Sequence, residues 1–163
     1  MRIAVCSDSH GGKLHLDRFI EYCRREKIEQ VCHLGDMVDD ARYLRENLDI
    51  PVALVAGNCD FYSREAKETG FHLMGRRLLL VHGDRYGVKY GYDRLSYYAE
   101  EQKADIALFG HTHRPFAAYV GKARLVNPGA LKDGVFCRID LTEKDIVPQT
   151  IDLDRWWREN IQD

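Results

Sequence analysis

Five apolar runs of this sequence end in the same kind of polar residue, and this repetition constrains the fold more than any other feature. The runs are short and bounded by glycine or polar residues, which is typical of buried β-strands. Each one delivers a carboxylate, an imidazole or a carboxamide at its carboxyl end. The runs with their polar ends are RIAVCSDSH, VCHLGD, VALVAGN, LLLVHGD and IALFGHTH.

The segments between these runs predict an α/β domain. Apolar residues from Leu14 to Cys23 recur with a helical period, and DDARYLREN is a second helix candidate, so the first third predicts βαβ units with parallel strands. Two strands joined at Gly75 and a helix over YDRLSYYAEEQKA follow. The short runs FAAYV, ARLVN, GVFCRIDL and DIVPQTIDL are separated by turn residues and favour antiparallel pairing. We expect one domain over residues 1–163 with a mixed sheet content that two stacked sheets would accommodate.

Composition narrows the function classes. The chain has 163 residues, 31% charged residues and a formal net charge of −2, so a basic nucleic-acid-binding surface is not expected. The five cysteines form no CxxC pair, and the sequence shows neither a signal-peptide pattern nor an apolar run long enough to span a bilayer. These features predict reduced thiols, a cytoplasmic location and no membrane partner.

The polar strand ends predict a metal site. The carboxyl ends of strands in α/β sheets face the ligand crevice, so these side chains are expected to converge. Aspartate, histidine and asparagine suit divalent manganese, iron, zinc, nickel or cobalt. Seven ligands suit two metals that share a bridging carboxylate, and in an extended segment residues two apart point the same way. The candidate ligands are Asp8, His10, Asp36, Asn58, His82, His111 and His113.

Each of these residues also has an ordinary structural interpretation. A single aspartate after a strand is more often a helix cap or a turn former, and a single histidine is more often a surface residue. Five strand ends with the same chemistry make coincidence a poor explanation. His15 and His72 fall inside helix- or strand-like runs, and His33 precedes Asp36 by three residues, so for these three the ordinary interpretation stands.

The ordered motifs resemble those of the calcineurin-like metallophosphoesterase superfamily. The sequence contains D-x-H at Asp8–His10, G-D at Gly35–Asp36, G-N-x-D at Gly57–Asp60, H at His82 and G-H-x-H at Gly110–His113. The short chain and the NPG at residues 127–129 resemble the small, single-domain prokaryotic phosphodiesterase branch.

The resemblance implies a fold and a ligand assignment. The fold would be an αββα four-layer sandwich of two mixed β-sheets flanked by helices. The cofactor would be two divalent metal ions per chain, with manganese expected first and nickel, iron, zinc or cobalt as alternatives. One metal would take Asp8, His10 and His113, the other would take Asn58, His82 and His111, and Asp36 would bridge them.

The resemblance also implies an activity, namely a phosphodiesterase acting on a small or nucleotide-like phosphodiester. Two nearby cations neutralise phosphate oxygens and lower the pKa of a shared water, which gives a hydroxide that attacks phosphorus. Asn58 is neutral and can therefore hold a metal and contact phosphate without adding negative charge. Arg114, after the last ligand, is a second candidate for a substrate contact, with a structural arginine as the alternative.

Two positions depart from the protein phosphatases of this superfamily. Those enzymes place a general-acid histidine after the G-N asparagine, where this sequence has Cys59. Asp39 matches the aspartate that supports this histidine, and Asp40 stands where those enzymes have an arginine. These changes argue against a phosphoprotein phosphatase and favour diesters with good leaving groups. Cys59 is a candidate proton donor, with a passive residue or an oxidation site as the alternatives.

Other functions and features stay open at this point. A non-catalytic scaffold or regulatory protein, like the retromer subunit that shares this fold, a phosphomonoesterase and a nuclease are alternatives, although intact ligands disfavour the scaffold. No stable complex with nucleic acid is expected. RWW at residues 155–157 either docks on the core or lies in a homo-oligomer interface. Aromatic residues between the last two motifs either wall a base-stacking pocket, form a subunit contact or pack a helix on a sheet; they are Tyr86, Tyr90, Tyr92, Tyr97 and Tyr98.

Overall fold

A computed structural model describes residues 1–161, which contain ten β-strands and four α-helices. The strands are β1 (Arg2–Cys6), β2 (Gln30–His33), β3 (Val52–Leu54), β4 (Glu68–Leu73), β5 (Arg76–Val81), β6 (Ile106–Leu108), β7 (Phe116–Val120), β8 (Ala123–Asn127), β9 (Val135–Leu141) and β10 (Ile146–Asp152). The helices are α1 (Lys13–Arg25), α2 (Val38–Asn47), α3 (Asp93–Glu101) and α4 (Leu153–Asn160).

The strands form two five-stranded mixed sheets. The first sheet has the order β10-β9-β1-β2-β3, in which β1, β2 and β3 are parallel and β9 is antiparallel to both β1 and β10. The second has the order β4-β5-β6-β8-β7, with β5, β6 and β8 parallel and an antiparallel strand at each edge. The parallel strands β1, β2, β3, β5 and β6 each precede one of the polar motifs.

Apolar side chains of the two sheets pack face to face. Val5 and Cys32 of the first sheet belong to one buried cluster with Leu80 and Ile106 of the second. Burial of this inner layer supplies much of the stabilisation of the fold, because each fully buried aliphatic side chain contributes about 1.5–3 kcal/mol.

Helices cover the outer faces and complete four layers. Phe19 and Tyr22 of α1 pack edge to face against Phe136 of the first sheet. On the other side, Leu95 of α3 belongs to a cluster with Phe109, just beyond β6. The predicted αββα sandwich of two mixed sheets is therefore confirmed.

The pairing of the last third is antiparallel only in part. The β7–β8 and β9–β10 hairpins are antiparallel, as the turn residues predict. However, β8 lies beside β6 and runs parallel to it, and β9 joins the other sheet beside β1. Turn residues predict only the hairpins. The pairing of β8 with β6 and of β9 with β1 depends on packing between segments that are distant in sequence.

Helix α4 contains the RWW segment, which docks on the core. Asp152 caps the helix by accepting a hydrogen bond from the backbone N–H of Arg155. Trp156 lies edge-on against Tyr22 and donates a hydrogen bond to Glu26, 3.2 Å from Nε1 to Oε1. The guanidinium of Arg18 lies 5.0 Å from the Trp157 ring centroid. Of the two alternatives for RWW, the docked one describes this structure.

The five cysteines are free thiols. Cys6, Cys23, Cys32 and Cys137 are buried, and Cys59 is exposed. Among residues 1–161, no helix combines the length and the apolar character needed to cross a bilayer.

Candidate metal centre

Loops from the carboxyl ends of both sheets meet at one place. In the first sheet, the backbone N–H of Asp8 donates to the carbonyl of Gly35, which joins the loops after β1 and β2. In the second sheet, Gly110 donates to the carbonyl of His82, which joins the loops after β5 and β6. The backbone N–H of His111 donates to Asp8 Oδ2 at 3.1 Å and thereby links the two sheets.

Six of the seven candidate ligand side chains lie together at this meeting point. His113 Nε2 is 3.1 Å from Asp8 Oδ1, and His82 Nε2 is 3.4 Å from Asp36 Oδ2. His10 Nε2 lies 3.9 Å from Asp8 Oδ1 and 3.8 Å from Asp36 Oδ2. His111 Nδ1 is 3.3 Å from His82 Nε2. The convergence expected from the strand ends is present for these six residues.

The centre has a buried floor and an open rim. Asp8, Asp36 and His82 are buried, with 0%, 3% and 1% of their surface exposed. His111 and His113 are half-buried, and His10 is more exposed. A ligand can therefore approach from the histidine side while the two carboxylates stay shielded from bulk water.

The seventh candidate, Asn58, is placed differently. Asn58 is exposed, and its side-chain amide nitrogen lies 3.7 Å from Cys59 Sγ. It is adjacent to the centre, because the backbone N–H of Cys59 donates to Asp36 Oδ1 at 3.0 Å. The assignment of Asn58 and of the other six residues as metal ligands stays a prediction.

The backbone at the ligand positions is left-handed. Five candidate ligand residues have positive φ, a conformation that residues other than glycine and asparagine adopt at a cost. The φ values are 54° at Asp8, 47° at His10, 58° at Asp36, 71° at His111 and 62° at His113. The argument that residues two apart point the same way in an extended segment is therefore wrong here. Strands β1 and β6 end at Cys6 and Leu108, and tight turns rather than extended chain bring each pair together.

Two glycines make the close approach of the loops possible. A Cβ atom at Gly57 would collide with Asp36 Oδ1, and one at Gly110 would collide with Ser7 Oγ. Neither glycine has a positive φ, so glycine is needed at these two positions because there is no space for a side chain.

Asp60 holds the turn that carries Asp36. Its Oδ2 accepts hydrogen bonds from the backbone N–H groups of Asp36 and Gly57, at 2.9 and 2.8 Å. Its Oδ1 accepts from Met37 and Val38, both at 2.9 Å, at the start of α2. A carboxylate at the N-terminus of a helix is also favoured by the helix dipole. The G-N-x-D motif contains this residue, but its role was not predicted.

His33 supports the first motif. Its Nδ1 accepts the N–H of Gly35, so Nε2 carries the proton and donates to Ser9 Oγ at 2.9 Å. Burial lowers the pKa of His33 to about 4, which keeps the imidazole neutral. Both ring nitrogens of His33 are used within the protein, and the residue fixes the loop between two candidate ligands.

Two further residues missed by the sequence analysis orient the ligand loops. Ser7 Oγ donates to Asp8 Oδ2 at 2.6 Å. The amide of Asn127 donates to the carbonyl of Gly110 and to Thr112 Oγ1, both at 3.0 Å, and its Oδ1 accepts from Gly129. The NPG motif was the available signal for Asn127.

His82 shows that the donor set fits a divalent cation. Its Nδ1 faces the carbonyl of Leu34 at 2.7 Å, and a carbonyl can only accept, so the proton of a neutral imidazole lies on Nδ1. The lone pair of Nε2 then points at the oxygens of Asp36 and Asp8, 3.4 and 3.9 Å away. Acceptors facing one another in a buried site need a proton or a cation between them. Metal-ligating histidines typically donate their other nitrogen in this way.

The charges of the centre perturb its pKa values. Burial opposes ionisation of Asp36, but the hydrogen bond and charge of His82 outweigh it and hold the pKa of Asp36 well below its usual range. Conversely, burial would lower the pKa of His82, and the hydrogen bond to Asp36 with the charge of Asp8 raises it instead. Burial lowers the pKa of His111, with further contributions from His82 and Lys89.

Two groups of three residues could each hold a metal ion, because the ligand atoms within each group all lie within 4.8 Å of one another. One group is Asp8, His10 and His113, and the other is Asp8, Asp36 and His82. The first group matches one of the two metal sites that the resemblance implies. The second contains the implied bridging residue Asp36, with Asp8 beside it. Carboxylates and imidazoles in this arrangement suit borderline divalent metals.

The candidate catalytic acids lie at the edge of the centre. Burial raises the pKa of the Cys59 thiol, with added contributions from the charge of Asp36, so the thiol stays protonated at neutral pH. The Asp39 side chain points to solvent and pairs with Arg42 at 3.1 Å. Asp40 is buried and accepts the backbone N–H of Gly11 at 2.8 Å. The acid that replaces an arginine of the phosphatases thus holds a loop of the centre.

The aromatic residues of the middle segment have separate roles. Tyr86 and Tyr98 stack at 5.0 Å and both donate to Glu68. Tyr92 packs against Phe116, with ring centroids 4.4 Å apart. Tyr90 and Tyr97 are exposed. Packing of the helix on the sheet therefore describes most of this cluster.

A family comparison agrees with this architecture. The sequence pattern of the calcineurin-like phosphoesterase superfamily domain matches residues 1–142. The chain belongs to this superfamily. The match supports a phosphoesterase, and it spans all five motifs together with NPG.

Two curated phosphoesterases of this superfamily are similar in sequence. The probable metallophosphoesterase YsnB of Bacillus subtilis is 30% identical over 132 residues, which cover 81% of this chain and 76% of that protein. The phosphodiesterase MJ0936 of Methanocaldococcus jannaschii is 24% identical over 144 residues, covering 79% and 83% of the two chains.

Solved structures share the superfamily fold. A predicted phosphoesterase from Streptococcus pneumoniae superposes with a TM-score of 0.77 at 28% identity, covering 94% of this chain and 90% of that one. Vps29 from Entamoeba histolytica, solved in complex with zinc, has a TM-score of 0.75 at 18% identity and covers 94% and 99%. The second likeness shows the fold alone.

Proposed function

We propose that this protein is a phosphodiesterase that uses two divalent metal ions to hydrolyse a small or nucleotide-like phosphodiester. The observation that carries the proposal is the convergence of Asp8, Asp36 and four histidines from loops of both sheets at one open-rimmed centre. The name of the MJ0936 relative, a phosphodiesterase, is consistent with it.

Each residue of the centre has a role in the proposal. Asp8, His10 and His113 would hold one metal, His82, His111 and Asn58 would hold the other, and Asp36 would serve both. Two divalent cations held there would neutralise phosphate oxygens and lower the pKa of water at the site. Because the amide of Asn58 lies at the exposed edge, it can contact a substrate phosphate as well. Manganese is the metal we would test first, with nickel, iron, zinc and cobalt as alternatives.

Residues near the leaving group favour a diester over a phosphoprotein substrate. Cys59 replaces the general-acid histidine of the phosphatases, and its raised pKa makes it a poor proton donor at neutral pH. Asp39 is paired with Arg42 rather than with an imidazole. A substrate with a good leaving group needs little help from an acid, so a diester with such a group suits this site.

The test is hydrolysis of bis(p-nitrophenyl) phosphate with added manganese. We expect metal-dependent release of p-nitrophenol, reduced about 100-fold or more by Asp36→Ala, since even the loss of residues that only support metal ligands costs 10- to 100-fold. The matched control is Asp145→Ala, which removes an exposed carboxylate in the β9–β10 turn and should leave the rate unchanged. A chain that binds manganese but hydrolyses neither diesters nor monoesters would contradict the proposal.

The second candidate function is a non-catalytic scaffold, and the likeness to Vps29 bears on the fold alone. Elemental analysis alone does not separate the two, since that structure holds zinc. Activity across monoesters, linear diesters and cyclic nucleotides does, because a scaffold has none with any metal. A monoester preference in the same panel would identify a phosphomonoesterase.

The wider context of the proposal is a single domain over residues 1–163 in the cytoplasm. The free thiols are consistent with that compartment. The docking of RWW on the core accounts for this segment without a second copy of the chain.

A further inference from the structure

A cleft lies beside the histidines of the last motif. It has a volume of about 320 Å³ and is lined by Val88, Lys89, Tyr92, Thr112 and Arg114. Thr112 stands between His111 and His113, so the cleft adjoins the candidate metal centre directly. A molecule bound at the centre can therefore extend into it.

Two cations of this cleft have no carboxylate partner. Lys89 and Arg114 are exposed, and the ion pairs formed within residues 1–161 leave both side chains uncompensated. By contrast, Arg18, Arg42 and Arg138 pair with aspartate at 2.6–3.2 Å. In a protein of net charge −2, unpaired cations beside a phosphate site are available for an anion.

The walls of the cleft are fixed. Thr112 Oγ1 accepts hydrogen bonds from the N–H of Arg114 at 3.1 Å and from the amide of Asn127 at 3.0 Å. Tyr92 packs against Phe109 and Phe116, and Val88 is buried. The backbone of Arg114 is anchored while its guanidinium is free, which suits capture of an incoming anionic group.

A second cleft, beside the loop of Cys59, has different chemistry. It has a volume of about 300 Å³ and contains Cys59, Phe61 and Tyr62 with the carboxylates of Asp39 and Asp60. Its cation, Arg42, is already paired with Asp39 and Glu65. Of the two clefts, the one with Lys89 and Arg114 is therefore the better place for the anionic end of an asymmetric substrate.

We propose that the cleft of Lys89 and Arg114 binds a second phosphate group, so that the preferred substrates are phosphodiesters of nucleotides that carry an additional phosphomonoester. This rests on the proposed phosphodiesterase function. Guanidinium and ammonium groups are the side chains that bind phosphate most strongly, and each charge-assisted hydrogen bond contributes more than a neutral one.

Two chromogenic substrates test the proposal. One is the p-nitrophenyl ester of thymidine 5′-phosphate, and the other is the same ester with a further phosphate on the 3′ oxygen. In both, water displaces p-nitrophenol from phosphorus and leaves the nucleotide with a 5′-phosphomonoester. We expect kcat/KM to be about tenfold higher for the 3′-phosphorylated ester, mainly through KM.

Variants assign the preference to the cleft. In Lys89→Gln/Arg114→Gln the ratio of the two kcat/KM values should fall to about one, and Lys89→Arg should retain most of it. The control Lys122→Gln removes an exposed lysine from the β7–β8 turn, at the other end of β8 from the centre, and should keep the ratio. Inhibition measures binding directly. Thymidine 3′,5′-bisphosphate should inhibit the wild type more strongly than thymidine 5′-phosphate, whereas the two compounds should inhibit the double variant equally.

The ratio distinguishes this proposal from the proposed function. A wild-type enzyme that hydrolyses both esters with equal kcat/KM, or a preference that survives the double substitution, would overturn the second-phosphate site and leave the phosphodiesterase intact. Failure to hydrolyse either ester or bis(p-nitrophenyl) phosphate would instead count against the phosphodiesterase itself.

Discussion

His33 illustrates how a residue outside the ligand set can govern the centre. The sequence places it inside an apolar run with no sign of function. In the structure it is completely buried and joins the loop of Ser9 to the turn of Gly35 through its two ring nitrogens. Neither bond is visible in the sequence, because each connects segments that only the assembled sheet brings together.

The burial of His33 predicts acid sensitivity. Its pKa is lowered from 6.5 to about 4 in the folded protein. Between these two values the unfolded chain binds a proton that the folded chain does not. The free energy of unfolding is therefore unaffected by this group above pH 6.5 and decreases as the pH falls through this window. By pH 4 the titration of His33 lowers it by on the order of 3 kcal/mol.

The comparison variant is His33→Asn, which keeps an acceptor for Gly35 and removes the titrating group. Urea unfolding in the presence of a chelator, at several values between pH 4 and 7, should show a shallower loss of stability in this variant than in the wild type. His72→Asn, at an exposed position of β4, is the matched control. Parallel pH curves for the wild type and His33→Asn would show that this imidazole is not the cause.

The strands with apolar runs and the helices with an apolar face could be predicted from the sequence. Helix α4 could not. Periodicity identifies α1, α2 and α3 because each has a regular apolar face. Helix α4 has only Leu153 fully buried and depends on Trp156 reaching the side chains of α1. A partner so distant in sequence leaves no local pattern.

The two tryptophans of α4 should differ in their contribution. Trp156→Ala removes the contact with Tyr22 and the hydrogen bond to Glu26, so we expect the free energy of unfolding to fall by about 2 kcal/mol. Trp157→Ala loses mainly the contact with Arg18 and should cost about 1 kcal/mol or less. Circular dichroism in urea measures both. Equal effects would argue against the docking of Trp156 as the anchor of α4.

At the scale of the whole molecule, the candidate centre joins the two sheets. The sequence predicted the convergence of six side chains, all but that of Asn58, because strand order and chemistry determine that much. It could not predict the left-handed turns, the collision that makes Gly57 and Gly110 necessary, or the four N–H groups held by Asp60. These depend on how closely the loops of the two sheets approach one another.

Because both sheets contribute candidate ligands, the proposed metal binding should stabilise the entire fold. Manganese at about 100 times its dissociation constant should add about 2.7 kcal/mol and raise the Tm of the chelator-treated protein by about 5–10 °C. Asp36→Ala should abolish most of this shift. In His111→Ala and in His113→Ala, manganese should raise the Tm by less than in the wild type, and each variant should retain about half of the bound metal. Full metal content in both histidine variants would exclude the assignment of separate sites.

The left-handed backbone at Asp8, His10, Asp36, His111 and His113 also has an evolutionary consequence. Each such residue costs the fold about 1 kcal/mol relative to a glycine that adopts this conformation freely. Selection for thermal endurance alone would therefore replace these residues with glycine or asparagine. On the proposed function, metal binding rather than robustness decides which amino acids occupy these five positions.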